Sequence, residues 1–147
     1  MHTEHLQNVS IPRVLLGWLV AVAVGSMLML GAAAVGLTGT EDDAAWPAFV
    51  AVVIGFFAGG FFTGRRALRA PVLHGVAIGL MTLVVWAIVN ALASAHILLL
   101  AGPTSLSAAN TVLVMITQIA AAVIGALMGY NMGLAGKPGL SEHPTPD

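Results

Sequence analysis

The chain has 147 residues, of which 59% are hydrophobic and only 7% are charged. Soluble domains carry roughly a quarter charged residues, so this chain cannot cover itself with a water-facing surface. The absence of cysteine excludes disulfides, thiol catalysis and cysteine metal sites. A net charge of -1 provides no basic field for nucleic acid. Composition therefore predicts a membrane protein, with no room for a separate soluble domain.

Four apolar segments are long enough to cross a bilayer, which takes about 20 residues as a helix. They are predicted as helices at about 14–36, 45–63, 71–95 and 108–131. The segments are continuously apolar, and a transmembrane barrel would instead alternate apolar and polar residues. We therefore predict an all-α, polytopic protein whose four-helix bundle occupies residues 14–134. A cytoplasmic segment (1–13) precedes the bundle, and a disordered cytoplasmic tail (135–147) follows it.

The basic residues predict the orientation of the four helices. All five fall on one predicted side of the membrane, namely Arg13, Arg65, Arg66, Arg69 and Lys137. The acidic run at 41–43 falls on the other side. Because basic loops stay in the cytoplasm, both termini are expected on the cytoplasmic side. The membrane is expected to be the cell (inner) membrane. Trp18 and Trp46 are predicted to lie near opposite membrane surfaces.

Small residues recur at four-residue intervals in every predicted helix, which keeps them on one helix face. The glycines of this zipper-like pattern are Gly17, Gly25, Gly55, Gly59, Gly64, Gly75, Gly79, Gly125, Gly129 and Gly133. Small residues let backbones approach closely, so they mark packing surfaces. Since they lie mainly in the cytoplasmic half, we expect tight packing there and looser packing outside. Packing within the bundle and contact between copies of the chain are both open.

Similar segments recur in the two helical hairpins. Residues 51–55 resemble 121–125, and each segment is followed four residues later by a glycine. Residues 14–17 likewise resemble 72–75. Tandem duplication of a hairpin explains these matches, and so does coincidence among common alanines, valines and glycines.

A few neutral polar residues lie deep in the predicted helices. Thr82, Trp86 and Asn90 continue the glycine face of the third helix, and Gln118 lies on the glycine face of the fourth. Trp86 is too deep for a membrane surface, so its indole N–H needs a partner, and Gln118 lies at a similar depth. We predict an intramembrane polar cluster of Trp86, Asn90 and Gln118, which either joins helices or lines a small ligand or lipid pocket.

The basic loop between the second and third helices is predicted to anchor the topology, or to contact anionic lipid or a protein, through Arg65, Arg66 and Arg69. No ionisable group lies in the predicted hydrocarbon core, which disfavours a proton-coupled transporter. No acid–base pair, nucleophile or metal-ligand set reaches the core either. We therefore expect no enzyme activity, no metal and no cofactor.

The stretch from Gly55 to Gly79 contains Gly59-Gly60-x-x-x-Gly64-Arg65-Arg66-Ala67 and then Leu73-His74-Gly75-x-x-x-Gly79. It resembles the YrzE-like family of small bacterial four-helix membrane proteins. The resemblance implies a four-helix fold and a bacterial inner membrane, and it implies no activity.

Two functions are consistent with these features. The first is a non-enzymatic structural or accessory subunit of a membrane assembly, in a homo-oligomer or with a membrane protein partner. The alternative is a small oligomeric transporter or channel for a neutral or lipid-like solute. The second function requires a continuous polar path, and the glycine-rich cytoplasmic half offers none.

Overall fold

The computed structural model describes residues 9–39, 41–67, 70–94 and 108–135, without the side chains of 41–43, 90–94 and 108–111. These residues form four α-helices, which are α1 (Ile11–Ala34), α2 (Glu41–Arg66), α3 (Pro71–Ser94) and α4 (Ala108–Ala135). All four are long and apolar enough to cross a membrane. The prediction of an all-helical, multi-pass membrane protein is confirmed at this level. Residues 1–8 and 136–147, predicted as terminal segments, lie outside the described residues.

Local sequence explains where several helices begin and end. Pro12 lies in the first turn of α1 and Pro71 opens α3, positions where a missing backbone N–H is harmless. α1 ends at a Schellman motif, in which Gly36 has φ +77° and the Leu37 N–H donates to the Ala32 carbonyl oxygen at 2.9 Å. Three helices begin earlier or end later than predicted, since α1 begins at Ile11, α2 spans Glu41–Arg66 and α4 continues to Ala135.

The helices form a bundle in which α2 packs between α1 and α4. α3 packs mainly against α4 and also touches α1 and α2, while α1 and α4 scarcely meet among the described residues. α2 is thus the central helix, and it shares its largest interface with α4, which runs in the same direction.

Burial is concentrated where α1 and α3 begin and where α2 and α4 end. We call this part of the bundle the arginine end, because Arg13, Arg65 and Arg66 lie there. In α1 the last buried residue is Ala21, and in α3 it is Gly79 among the side chains described. Large apolar side chains are exposed on all four helices. In water this surface would be unfavourable, so it implies a lipid environment.

Candidate functional site

The arginine end is built on two glycine faces of α2. Gly55 and Gly59 lie against α1, and a Cβ at Gly55 would come within 2.5 Å of the Ala21 carbonyl oxygen. Gly60 and Gly64 lie against α4, where a Cβ at Gly64 would be 2.7 Å from the Cα of Ala126. Real Cβ atoms essentially never approach another heavy atom this closely. Glycine at these positions therefore lets α2 touch both neighbours backbone to backbone.

The other glycines predicted for helix packing also lie against helices of the same chain. Gly75 and Gly79 of α3 face α4, where a Cβ would be 2.6 Å from the Cα of Val123 and 3.0 Å from the Cα of Ile119. The remaining positions all face α2 and are Gly17, Gly25, Gly125, Gly129 and Gly133. These glycines thus allow close contacts between helices of one chain. Contact between copies of the chain stays a prediction.

A buried histidine ties the beginnings of α1 and α3 together. The backbone N–H of Ser10 donates to His74 Nε2 at 3.2 Å, and His74 Nδ1–H donates to the Ala70 carbonyl oxygen at 2.9 Å. The His74 side chain is completely buried. Because both ring nitrogens are engaged in this way, the ring is the neutral Nδ1–H tautomer. Ser10 and Ala70 immediately precede the two helices, so a single side chain connects both starts.

The sequence analysis gave no role to His74, which is the fourth residue of the third predicted helix (71–95). One available signal was its position beside Gly75 and four residues before Ile78, since i and i+4 share a helix face. Ile78 and Gly75 are both buried. The partners of His74 are backbone groups, which carry no sequence signal of their own.

Two further hydrogen bonds hold the helices together near the arginine end. Thr63 Oγ1 of α2 donates to the Arg13 carbonyl oxygen of α1 at 3.3 Å. Trp18 Nε1 of α1 donates to Thr82 Oγ1 of α3 at 3.1 Å. The prediction that Thr82 points into the bundle is confirmed by this bond. Trp18 was expected only to mark a membrane surface, but it also joins α1 to α3.

We expect Trp18→Phe to lower the free energy of unfolding by about 0.6 kcal/mol, the average for hydrogen bonds between membrane helices. Thr82→Val removes the other partner. A double-mutant cycle by SDS-induced unfolding in mixed micelles should give a coupling energy of about that size. Additive effects of the two substitutions would show that the bond adds no stability.

Of the predicted polar cluster, the structure describes the side chains of Gln118 and Trp86. Gln118 is buried (7% exposed), but its Oε1 accepts no hydrogen bond from the described part of the chain. The predicted bond from the Trp86 indole N–H to this oxygen is therefore wrong, and Trp86 is 51% exposed. The helical phase of Trp86 matches Gly75, since 11 residues are close to three turns. α3 buries no described side chain beyond Gly79, so this face meets less protein at the depth of Trp86. The side chain of Asn90 lies outside the described residues.

The unpartnered oxygen of Gln118 leads to a prediction about stability. A buried acceptor without a partner costs about 1–3 kcal/mol, so replacing it with a thioether of similar shape should not weaken the fold. We expect Gln118→Met to leave the free energy of unfolding unchanged or to raise it by about 1 kcal/mol. A loss above 1 kcal/mol in the same SDS titration would mean that the amide joins helices after all.

An open groove lies on α2 at the arginine end and has a volume of about 650 Å³. Its wall is apolar and includes Ile54, Phe57 and Ala58, and its basic end is formed by Arg65 and Arg66. The Arg66 guanidinium lies 3.8 Å from the centroid of the Phe62 ring, and that of Arg65 lies 5.9 Å from the Phe61 centroid. Arg69, the third arginine of this predicted contact, lies outside the described residues.

Within the described ranges, no group of three or more His, Cys, Asp or Glu residues could hold a metal ion. The arrangement at the arginine end consists of packing, hydrogen bonds and two exposed guanidinium groups. Such an arrangement can hold helices together, and its guanidinium groups can bind an anion. In comparisons with protein-family models, curated proteins and solved structures, nothing matches this chain.

Proposed function

We propose that the chain is a small, non-enzymatic protein of the bacterial inner membrane that serves as a structural or accessory subunit of a membrane assembly. The observation that supports this proposal is the division of the bundle into two parts. At the arginine end, glycine contacts and hydrogen bonds join all four helices. Away from that end, α3 and α4 expose large apolar side chains, including Ile88, Leu113 and Ile116. A compact base with exposed helix faces is suited to pack against helices of a partner.

The experiment is a pull-down of the full chain from native membranes in mild detergent, followed by native mass spectrometry. The proposal predicts a heteromeric partner at fixed stoichiometry. Ile88→Trp should remove this partner, because Ile88 lies on the exposed part of α3 (53% exposed). Leu16→Trp is the matched control, since Leu16 is equally exposed (52%) but lies on α1 at the arginine end. A lone monomer would contradict this role, and a homo-oligomer without a second protein would limit the assembly to copies of this chain.

The alternative is a small oligomeric transporter or channel for a neutral or lipid-like solute. Among the described residues, Oε1 of Gln118 favours it, because this buried acceptor has no partner there and is available to a polar solute. The contacts of Gly60 and Gly64 with α4 oppose it, since they close the space between the two helices at the arginine end. Faster glycerol-driven swelling of vesicles containing the protein, lost in Gln118→Met, would support transport over the accessory role.

The proposed orientation places both termini in the cytoplasm, in line with the five basic residues on one side. The chain has no cysteine, so single cysteines can be introduced as reporters. A membrane-impermeant maleimide should label Gly39→Cys from the periplasmic side of spheroplasts. Ser141→Cys should react only after permeabilisation. The reverse labelling pattern would invert the topology.

A further inference from the structure

The groove on α2 has the length of one membrane leaflet. It extends along the helix from Ile54 to Arg65. At 1.5 Å per residue this is about 16 Å, close to half of the roughly 30 Å hydrocarbon core. A lipid acyl chain that lay along this wall would therefore have its headgroup at the level of the two arginines.

The basic end of the groove is positioned by aromatic rings of its own wall. Phe62 lies under the Arg66 guanidinium and Phe61 lies near that of Arg65, at centroid distances of 3.8 and 5.9 Å. Such cation–π contacts restrict flexible side chains and leave their N–H groups available to oxygen ligands. Both arginines are exposed, so an external anion can reach them.

The charge of this end is not balanced by the described part of the chain. The acidic residues in that part all lie at 41–43, in the first turn of α2. They are separated from Arg65 and Arg66 by almost the whole helix, about 36 Å. None of these acidic residues can therefore pair with the two guanidinium groups at the arginine end. Guanidinium groups match the geometry of a phosphate well.

We propose that the groove is a binding site for an anionic phospholipid of the leaflet at the arginine end. One acyl chain lies along Ile54, Ala58 and Phe61, and the phosphate contacts Arg65 and Arg66. A zwitterionic lipid can use the same apolar wall, but its ammonium group opposes the guanidinium charges. This site goes beyond the accessory role and does not depend on it.

The test is competition between two lipids for the purified full chain in mild detergent. Phosphatidylglycerol and phosphatidylcholine with identical acyl chains are supplied in equal amounts, and retained lipid is counted by native mass spectrometry. We expect phosphatidylglycerol to be preferred by about tenfold. One arginine near a membrane surface would give a preference of about fivefold, and two would give about thirtyfold. The Arg65→Gln/Arg66→Gln double variant should reduce the preference to about twofold or less.

Two further variants separate a built site from general attraction to positive charge. Ala58→Trp keeps both arginines but fills the groove, so the tenfold preference should also be lost. Arg13→Gln removes a charge from the same end, away from the groove lining, and should leave the preference unchanged. Retention of the full preference in Ala58→Trp, or its loss in Arg13→Gln, would overturn the proposal. Equal binding of both lipids to the wild-type protein would also overturn it.

Discussion

Adding one methyl group at Gly64 is expected to lower the free energy of unfolding by about 2–3 kcal/mol, the upper part of the range for overpacking. The Cβ of Gly64→Ala would lie 2.7 Å from both the carbonyl carbon and the Cα of Ala126. Non-bonded carbon atoms prefer about 3.5–4.0 Å. The obstacle is helix backbone, so no rotamer change can relieve it. α2 and α4 must separate, and that movement also loosens the neighbouring contact between Gly129 and Phe61.

The matched control for Gly64→Ala is Gly31→Ala. Gly31 also lies within a helix and is exposed, and a Cβ there would meet nothing within 4 Å. This control should be neutral or stabilising by up to about 1 kcal/mol, because alanine favours the helix. Both variants are compared by SDS titration in mixed micelles with tryptophan fluorescence as readout. Equal stability of the two variants would show that α2 and α4 do not approach as closely as the structure has them.

The glycine pattern predicted that close helix contacts exist but not which helices make them. Gly59 and Gly60 are adjacent and therefore point about 100° apart around α2. Gly59 faces α1 and Gly60 faces α4. Spacing along one helix reveals its faces, whereas the choice of neighbour depends on how all four helices are arranged. The central position of α2 was for this reason not predictable from spacing alone.

The polar residues illustrate a second reason why sequence reasoning fell short. The burial of Trp86 was deduced from the helical repeat, which shows the face on which a side chain lies. A residue on that face is buried only where a neighbouring helix is in contact at the same depth. Burial in α3 ends at Gly79 among the described side chains, so Trp86 is half exposed. Gln118 lies in the neighbouring helix α4 and is buried, as expected from its place on the glycine face of that helix. Helical phase therefore predicted side-chain direction, but the depth at which the bundle opens decided burial.

His74 is expected to be the polar side chain on which the arginine end depends most. His74→Leu would leave the Ser10 N–H and the Ala70 carbonyl oxygen without their side-chain partner. The Ala70 carbonyl oxygen would keep the backbone N–H of residue 74 as a donor at 3.3 Å, and Ser10 is half-buried. Because a buried polar group left without a partner costs about 1–3 kcal/mol, the loss should be about 1–3 kcal/mol and should arise mainly at Ser10. Ala70 has φ +53°, a left-handed conformation that is unfavourable for alanine and persists only when its surroundings hold it. The bond from His74 is one of the contacts that hold Ala70 in place.

A graded series at position 74 separates this mechanism from simple loss of volume. In His74→Asn the amide nitrogen lies near the former Nδ1 and can still donate to Ala70, while His74→Gln places an acceptor near the former Nε2 for Ser10. Each should recover part of the stability lost in His74→Leu, which is similar in size and retains neither bond. The order should appear in SDS-induced unfolding as wild type above Asn and Gln, and both of these above Leu. If leucine is as stable as asparagine and glutamine, the histidine acts by filling space, and the two hydrogen bonds do not stabilise the starts of α1 and α3.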